Sequence, residues 1–121
     1  MKWNKQFIYP KTVRSSVDGV RKYSIGQEKL PSVTTIISST QDASKTESLA
    51  RWKLKVGEVE AERIKNTAAT RGTAMHSYLE HHVKGGNVLD LTDVGREARS
   101  MAEVIIKKGF PDLEEVWGVE C

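Results

Sequence analysis

The chain has 121 residues, of which 38% are hydrophobic and 29% are charged, and its formal net charge is +3. This length predicts one domain or less, and the composition excludes a disordered chain and a bilayer-spanning segment, which needs an apolar run of about 20 residues. The only cysteine, Cys121, excludes an internal disulfide and a cysteine-built zinc site, and it fits a reducing compartment. The first residues show no pattern of a secretory signal or a transit peptide, so we expect a cytoplasmic protein without membrane contact.

The first 29 residues are locally basic, with seven Lys or Arg against two acidic residues. Aromatic residues are mixed among them: Trp3, Phe7, Tyr9 and Tyr23. Residues 12–16 and 20–25 are β-capable, and residues 17–19 between them are typical of a turn, so the sequence predicts a β-hairpin. Basic and aromatic side chains together contact phosphates and stack on bases, which makes Arg21 and Lys22 candidate DNA-binding residues. A solvated hairpin without a ligand is the alternative.

Residues 30–70 predict helices interrupted by a loop and a glycine. Ser32 follows a proline and is a competent cap for a short helix, although the β-branched run after it argues for a strand. Residues 38–44 are polar and predict a loop. Two helices are expected next, over 46–55 and 58–70, with Gly57 as the break between them.

The stretch 68–83 predicts a separate helix that begins at Gly72 and Thr73, with Thr73 as its N-cap. His76 and Glu80 lie one helical turn apart, so an imidazole and a carboxylate point to the same side. A polar pair beside a core face is the plainer interpretation of this spacing. The histidines at 81 and 82 diverge by about 100° around the helix, so we expect them at the surface.

The last third of the chain predicts a loop, a helix and a strand. Residues 84–91 contain glycines and form the loop. Thr92 or Asp93 caps a helix that ends at Lys108, since Gly109 and a proline follow. The expected apolar face of this helix comprises Val94, Ala98, Met101, Val104 and Ile105. Residues 115–120 predict a strand, with Trp117 packed under a helix.

Four stretches resemble segments of one nuclease family, and they occur in the family's order. Residues 71–80 carry Arg-Gly-Thr-x-x-His followed by Leu-Glu, which resembles the signature of PD-(D/E)XK exonucleases. The relevant branch is RecB-like and includes phage exonucleases and the mitochondrial genome maintenance exonuclease. Residues 30–37 are similar to its Pro-Ser-Val-Thr segment, and residues 49–58 to its Leu-x-x-Trp-(Lys/Arg)…Val-Gly-Glu segment. Residues 116–120 resemble the strand that enters the nuclease core.

The resemblance implies an α+β fold, namely the front, mainly helical half of a restriction-endonuclease-like fold. An N-terminal β-hairpin and one C-terminal core strand would accompany the helices. Residues 1–121 would then form a single incomplete nuclease domain. Its expected parts are a basic β-hairpin region at 1–29, a helical region at 30–109 and the first core strand at 114–121.

The resemblance also implies a metal-dependent DNA exonuclease that hydrolyses phosphodiesters in phage DNA processing or recombination, in the host cytoplasm if phage-encoded. His76 matches the family's helical metal ligand, and Glu120 matches the glutamate of its first core strand, a metal ligand and catalytic residue. The expected ion is Mg²⁺ or Mn²⁺. Arg71 and Thr73 are the expected DNA contacts of the signature, and pairing with a nearby carboxylate is the alternative for Arg71.

The family's next segments, a Gly-x-x-Asp strand and an Asp/Glu-x-Lys strand, match nothing in the 121 residues. We therefore expect this chain to be inactive alone, with weak or no metal binding, or to be completed by a second, C-terminal nuclease fragment. Asp90 and Asp93 do not substitute for the missing acids, because their positions suit a helix cap. The alternative functions are a non-catalytic DNA-binding module and a helical protein-interaction module.

Overall fold

The computed structural model describes residues 1–120, so the cysteine predicted to lie in the final strand segment falls outside the described residues. The fold is mixed α+β, as the sequence predicts. The strands are β1 Lys2–Trp3, β2 Val13–Val17, β3 Val20–Ile25, β4 Glu28–Pro31 and β5 Glu115–Val116. The helices are α1 Val33–Ser39, α2 Ala43–Val56, α3 Glu58–Val83 and α4 Asp93–Lys108, and a 3₁₀ turn covers Phe110–Asp112. No helix among the described residues is both long enough and apolar enough to cross a bilayer.

The chain folds as two compact units. One comprises Met1–Ile8 together with Val59–Glu120, and the other comprises Tyr9–Glu58. We call the first the α3–α4 unit and the second the sheet unit. The single-domain organisation expected from the sequence stays a prediction.

The predicted hairpin is confirmed, and the sheet of the sheet unit has a third strand that the sequence did not reveal. β2 pairs antiparallel with β3, and β3 pairs antiparallel with β4. The β2–β3 turn places Asp18 at φ 54° and Gly19 at φ 76°, backbone conformations that Asp and Gly tolerate better than other residues. A second turn with Gly26 at φ 61° returns the chain into β4.

Side-chain caps define the two helices that follow. Ser32 follows β4 and caps α1, because its Oγ accepts a hydrogen bond from the Thr35 amide at 3.1 Å. Of the two alternatives that the sequence offered for this segment, the short helix is therefore confirmed and the strand is not. α2 begins at Ala43, within the segment predicted as a loop, because Asp42 accepts from the Lys45 amide. It ends where Gly57 adopts φ 87° and ψ 152°, a conformation nearly restricted to glycine, so the predicted break is confirmed.

α3 is one continuous helix of 26 residues, so the predicted helix start at Gly72 and N-cap at Thr73 are wrong. Gly72 costs a helix about 1 kcal/mol relative to alanine, which is less than the cost of nucleating a second helix beside an existing one. The predicted end is confirmed, since Gly85 lies at φ 81° and its amide donates to the His82 carbonyl.

α4 begins at the predicted cap, with the Thr92 hydroxyl accepting from the Gly95 amide at 3.0 Å. Its buried face differs from the predicted one. Ala98 and Ala102 are fully buried beside Gly95, whereas Met101, Val104 and Ile105 are exposed. The inward face therefore consists of small residues, and the Asp90 carboxylate lies directly against Gly95.

The final strand is shorter than predicted: β5 comprises only Glu115 and Val116 of the expected 115–120. It pairs in parallel with β1, and the Asn4 amide donates to the Val116 carbonyl at 2.8 Å. Strand geometry extends only where a neighbour accepts and donates backbone hydrogen bonds, and β1 offers two residues. Trp117 is also not packed under a helix, since it is 57% exposed.

Candidate functional site

The α3–α4 unit brings His76 and Glu120 together. The Nδ1 atom of His76 lies 3.9 Å from an Oε1 atom of Glu120, although the residues are 44 positions apart in sequence. Their side chains are 68% and 59% exposed, so the pair contributes little to stability. The two residues that the resemblance assigns as metal ligands therefore lie near each other, and their roles as ligands stay a prediction.

Glu120 reaches this position without being part of a strand. Its backbone has φ 51°, in the left-handed region that disfavours residues with a Cβ. β5 ends four residues earlier, at Val116, so a bend and not a strand carries the carboxylate toward α3.

Beside the pair lies an apolar groove of about 240 Å³, which we call the α3 groove. Its polar rim consists of His76, Glu80 and Glu120. Its apolar lining consists of Met1, Leu79, Val83, Phe110, Leu113, Val116 and Val119. The second half of α3 thus presents a polar edge and an apolar stripe to the same opening.

Glu80, the partner that helical spacing suggested for His76, is engaged elsewhere. Its carboxylate accepts a short hydrogen bond from the Lys84 ammonium, one turn further along α3. This bond, with the attraction of the Lys84 charge, holds the pKa of Glu80 below its ordinary value. Glu80 is therefore an ionised carboxylate at the rim of the α3 groove that is already neutralised by a cation.

The described residues supply two donors for a divalent ion. In an octahedral site with bonds of about 2.0–2.1 Å, adjacent donor atoms lie about 3 Å apart and opposite ones about 4 Å apart. The 3.9 Å separation is close to that of opposite donors and too long for adjacent ones. Residues 1–120 contain no cluster of three or more His, Cys, Asp or Glu side chains placed to hold a metal. One nitrogen and one carboxylate do not fit Mg²⁺ by themselves, because this ion demands six ligands and dehydrates reluctantly.

The two other residues of the α3 signature are found in the middle of the helix. Arg71 donates from Nη1 to the Glu97 carboxylate of α4 at 3.3 Å, which is the carboxylate pairing considered as its alternative role. Arg71 remains 38% exposed, so an exposed pair of this kind is worth at most about 1 kcal/mol and can exchange for a phosphate. Thr73 is exposed, and its role in DNA binding stays a prediction.

Arg21 and Lys22 are consecutive residues of β3, so they lie on opposite faces of the sheet. Both are exposed. Arg21 is opposite Ser16 of β2, and Lys22 is opposite Ser15. The two candidates therefore cannot contact one ligand from the same face.

His81 and His82 are exposed, as expected. His81 bonds through Nδ1 to the Ser77 carbonyl at 2.7 Å, and the ring of His82 lies 5.7 Å from that of Phe110. Neither interaction brings them to Glu120.

Two features of the α3–α4 unit could not be predicted from the sequence, because no local residue pattern indicates them. A cavity of about 410 Å³ lies between α3 and α4, with Tyr78, His82 and an Arg99–Glu103 ion pair in its wall. The ring of Phe7 stacks on Trp117 with centroids 4.9 Å apart, and the Trp117 indole donates to Glu115 at 2.7 Å. Both features depend on chain pairings over long sequence distances.

No protein-family profile, curated protein or solved structure matches this chain. The resemblance to nucleases therefore rests on the four sequence stretches alone. The approach of His76 to Glu120 is a separate, geometric observation.

Proposed function

We propose that this chain is the part of a metal-dependent DNA nuclease that contributes His76 and Glu120, in an exonuclease of the PD-(D/E)XK type. The observation that supports it is the 3.9 Å approach of the two side chains that the family signature singles out independently. Residues far apart in sequence have no local reason to meet, and this pair gains little stability by meeting. Phage DNA processing or recombination is the proposed setting.

In this proposal the chain holds one side of the metal site. The remaining carboxylates and the lysine come from a second polypeptide segment, since the 121 residues contain no match for them. A bound divalent ion would activate water and neutralise charge on the phosphoryl oxygens. The chain's own part is positioning: α3 fixes the imidazole, and the bend after β5 fixes the carboxylate.

The second candidate function is a non-catalytic protein-interaction module, and the α3 groove favours it. Apolar side chains such as Leu79, Val83 and Leu113 line the groove, and an apolar segment of a partner protein would be buried against them. The two candidates differ over metal, because an interaction module has no use for a coordinated ion at His76.

Mn²⁺ alone separates the two candidates in the isolated chain. In a titration followed by NMR, we expect the ring protons of His76 to broaden before those of His81 and His82, which serve as internal controls. Glu120→Gln should weaken this selectivity, and His81→Gln should leave it unchanged. Equal broadening of all three histidines, or no effect of Glu120→Gln, contradicts the metal role.

A cleavage assay tests the division of labour. Labelled single- and double-stranded DNA with Mg²⁺ or Mn²⁺ should remain intact in the presence of the isolated chain. Cleavage that follows the protein peak and stops with EDTA would show that the chain holds a complete site. His76→Gln should change the free energy of unfolding by less than about 0.5 kcal/mol, because its side chain is exposed.

A further inference from the structure

The three-stranded sheet has two chemically different faces. Side chains alternate between faces along each strand, and the register of β2, β3 and β4 fixes which ones share a face. We call one the Arg face; it carries Arg14, Ser16, Arg21, Tyr23, Ile25, Glu28 and Leu30. We call the other the Lys face; it carries Val13, Ser15, Val17, Val20, Lys22, Ser24, Lys29 and Pro31.

Tyr23 lies at the centre of the Arg face. Arg14 is directly opposite it on β2, and Leu30 is directly opposite it on β4. Arg21 is two residues before it on β3 and therefore on the same face, one position along. Directly opposed residues have Cβ atoms about 5 Å apart, and residues two apart on one strand about 7 Å, so the half-buried Tyr23 has an arginine beside it across the strands and another along β3.

The two arginines are available to a ligand. Both are exposed, and neither forms an ion pair within residues 1–120. The one carboxylate of the Arg face, Glu28, pairs in register with Ile25 at the other end of the sheet, away from Arg21. The sheet unit as a whole is basic, with nine Lys or Arg and five Asp or Glu over residues 9–58.

The Lys face is also positive, with Lys22 and Lys29 and no carboxylate. A ligand recognised by charge alone would therefore prefer the Lys face. The Lys face has exposed valines in place of an aromatic ring, and its ammonium groups are point charges without the planar fork of arginine. The Arg face thus combines its charge with an aromatic ring and planar guanidinium groups, whereas the Lys face offers charge alone.

We infer that the Arg face binds single-stranded nucleic acid, with the ring of Tyr23 stacked on an unpaired base and Arg14 and Arg21 on the flanking phosphates. Guanidinium groups bind phosphate oxygens in bidentate fashion, and aromatic rings on exposed sheets stack on bases of any sequence. A duplex keeps its bases paired and stacked, so it offers the ring no base. The inference deepens the proposed function by naming the state of the DNA, but it needs no metal and no nuclease chemistry.

Fluorescence anisotropy tests the inference with the full chain in EDTA, using a labelled 12-nucleotide oligo-dT and a 12-base-pair duplex as probes. The double variant Arg14→Gln/Arg21→Gln should bind oligo-dT at least tenfold more weakly, and its plot of log affinity against log salt should be shallower by about 1.4. The matched control Lys22→Gln/Lys29→Gln removes the same charge from the other face and should lose less than about threefold.

The ring is tested separately. Tyr23→Phe keeps the aromatic surface and should bind like wild type, whereas Tyr23→Leu should lose about fivefold or more. If Tyr23→Leu has a lower melting temperature than the wild type, NMR of the wild-type chain is used instead. Oligo-dT should then shift the resonances of the Tyr23 ring protons upfield and leave those of Tyr78 unchanged. An equal loss in the two double variants, tighter binding of the duplex, or unshifted Tyr23 protons overturns the inference.

Because EDTA removes divalent ions, the measured oligo-dT affinity does not depend on metal binding by His76 and Glu120. If oligo-dT binds through the Arg face but Mn²⁺ does not broaden His76 selectively, this inference stands and the nuclease proposal is rejected. If Mn²⁺ broadens His76 selectively but oligo-dT does not bind, the nuclease proposal stands and this inference is rejected.

Discussion

The two compact units differ in charge and in what they expose. The sheet unit carries nine Lys or Arg against five Asp or Glu, while the rest of the chain carries ten against eleven, so the net charges are +4 and −1. The modest net charge of the whole chain conceals this separation. One unit therefore suits a polyanion, and the other, with a His–Glu pair beside an apolar groove, suits a cation and an apolar segment.

The units also differ in what holds them. The α3–α4 unit has a fully buried face of small residues on α4, whereas the strands of the sheet unit expose their valines. We therefore expect the α3–α4 unit to be sensitive to side-chain volume and the sheet unit to be sensitive to surface charge.

The largest expected effect tests the buried face. Ala98→Leu should lower the free energy of unfolding by about 2–3 kcal/mol, because Ala98 has no exposed surface and extra methylenes force neighbours apart. Val13→Ile adds volume at an exposed position of the sheet and should stay within about 0.5 kcal/mol. Urea denaturation checks both, and equal losses would remove the contrast between the units.

Two glycines, one in each unit, should change the free energy of unfolding in opposite directions when replaced by alanine. Gly57→Ala should destabilise by about 1–3 kcal/mol, because its φ of 87° is strained for any side chain. Gly72→Ala should stabilise by about 0.5–1 kcal/mol, since Gly72 is helical and a Cβ there would meet nothing within 4 Å. Thermal melts measure both. A destabilised Gly72→Ala would show that the open space at this position is required by the fold.

Helix caps offer a matched pair of smaller changes, one in each unit. Thr92→Ala removes the acceptor for the Gly95 amide, and Ser32→Ala removes the acceptor for the Thr35 amide. Each should cost about 1 kcal/mol. Ser32 should cost the more, because it is 6% exposed and its hydroxyl also bonds to Thr35 Oγ1 at 2.8 Å. Urea midpoints at pH 7 measure this order, and a larger loss at Thr92 would reverse it.

The smallest effect is a loss of stability in acid that both units share. Hydrogen bonds from the Ser44 hydroxyl and the Lys45 amide hold the pKa of Asp42 below its ordinary value of 3.8. The Thr92 hydroxyl and amide do the same to the pKa of Asp90. A carboxylate with a folded-state pKa below its unfolded one stabilises the fold above pH 4, and this contribution is lost as the pH falls through the folded-state pKa.

Asp42→Asn and Asp90→Asn should each flatten the dependence of the urea midpoint on pH between pH 5 and 2. A slope that is insensitive to both substitutions would show that other carboxylates govern acid unfolding.

The sequence alone determined what depends on neighbouring residues. The hairpin, the caps at Ser32 and Thr92 and the helix end at Gly57 follow from side-chain hydrogen bonds and backbone preferences that act within about four residues. The α+β class was implied by the family resemblance, and the fold confirms it. The faces of Arg21 and Lys22 follow from simple alternation.

The tertiary structure decided what depends on distant partners. β5 ends at Val116 because β1 offers no longer edge for it to pair with. The register that places Arg14 beside Tyr23 and the bend that brings Glu120 to His76 are likewise set by pairing across the chain. Local sequence encodes hydrogen bonds between neighbours, whereas convergence of remote side chains is fixed only when strands pair and helices pack.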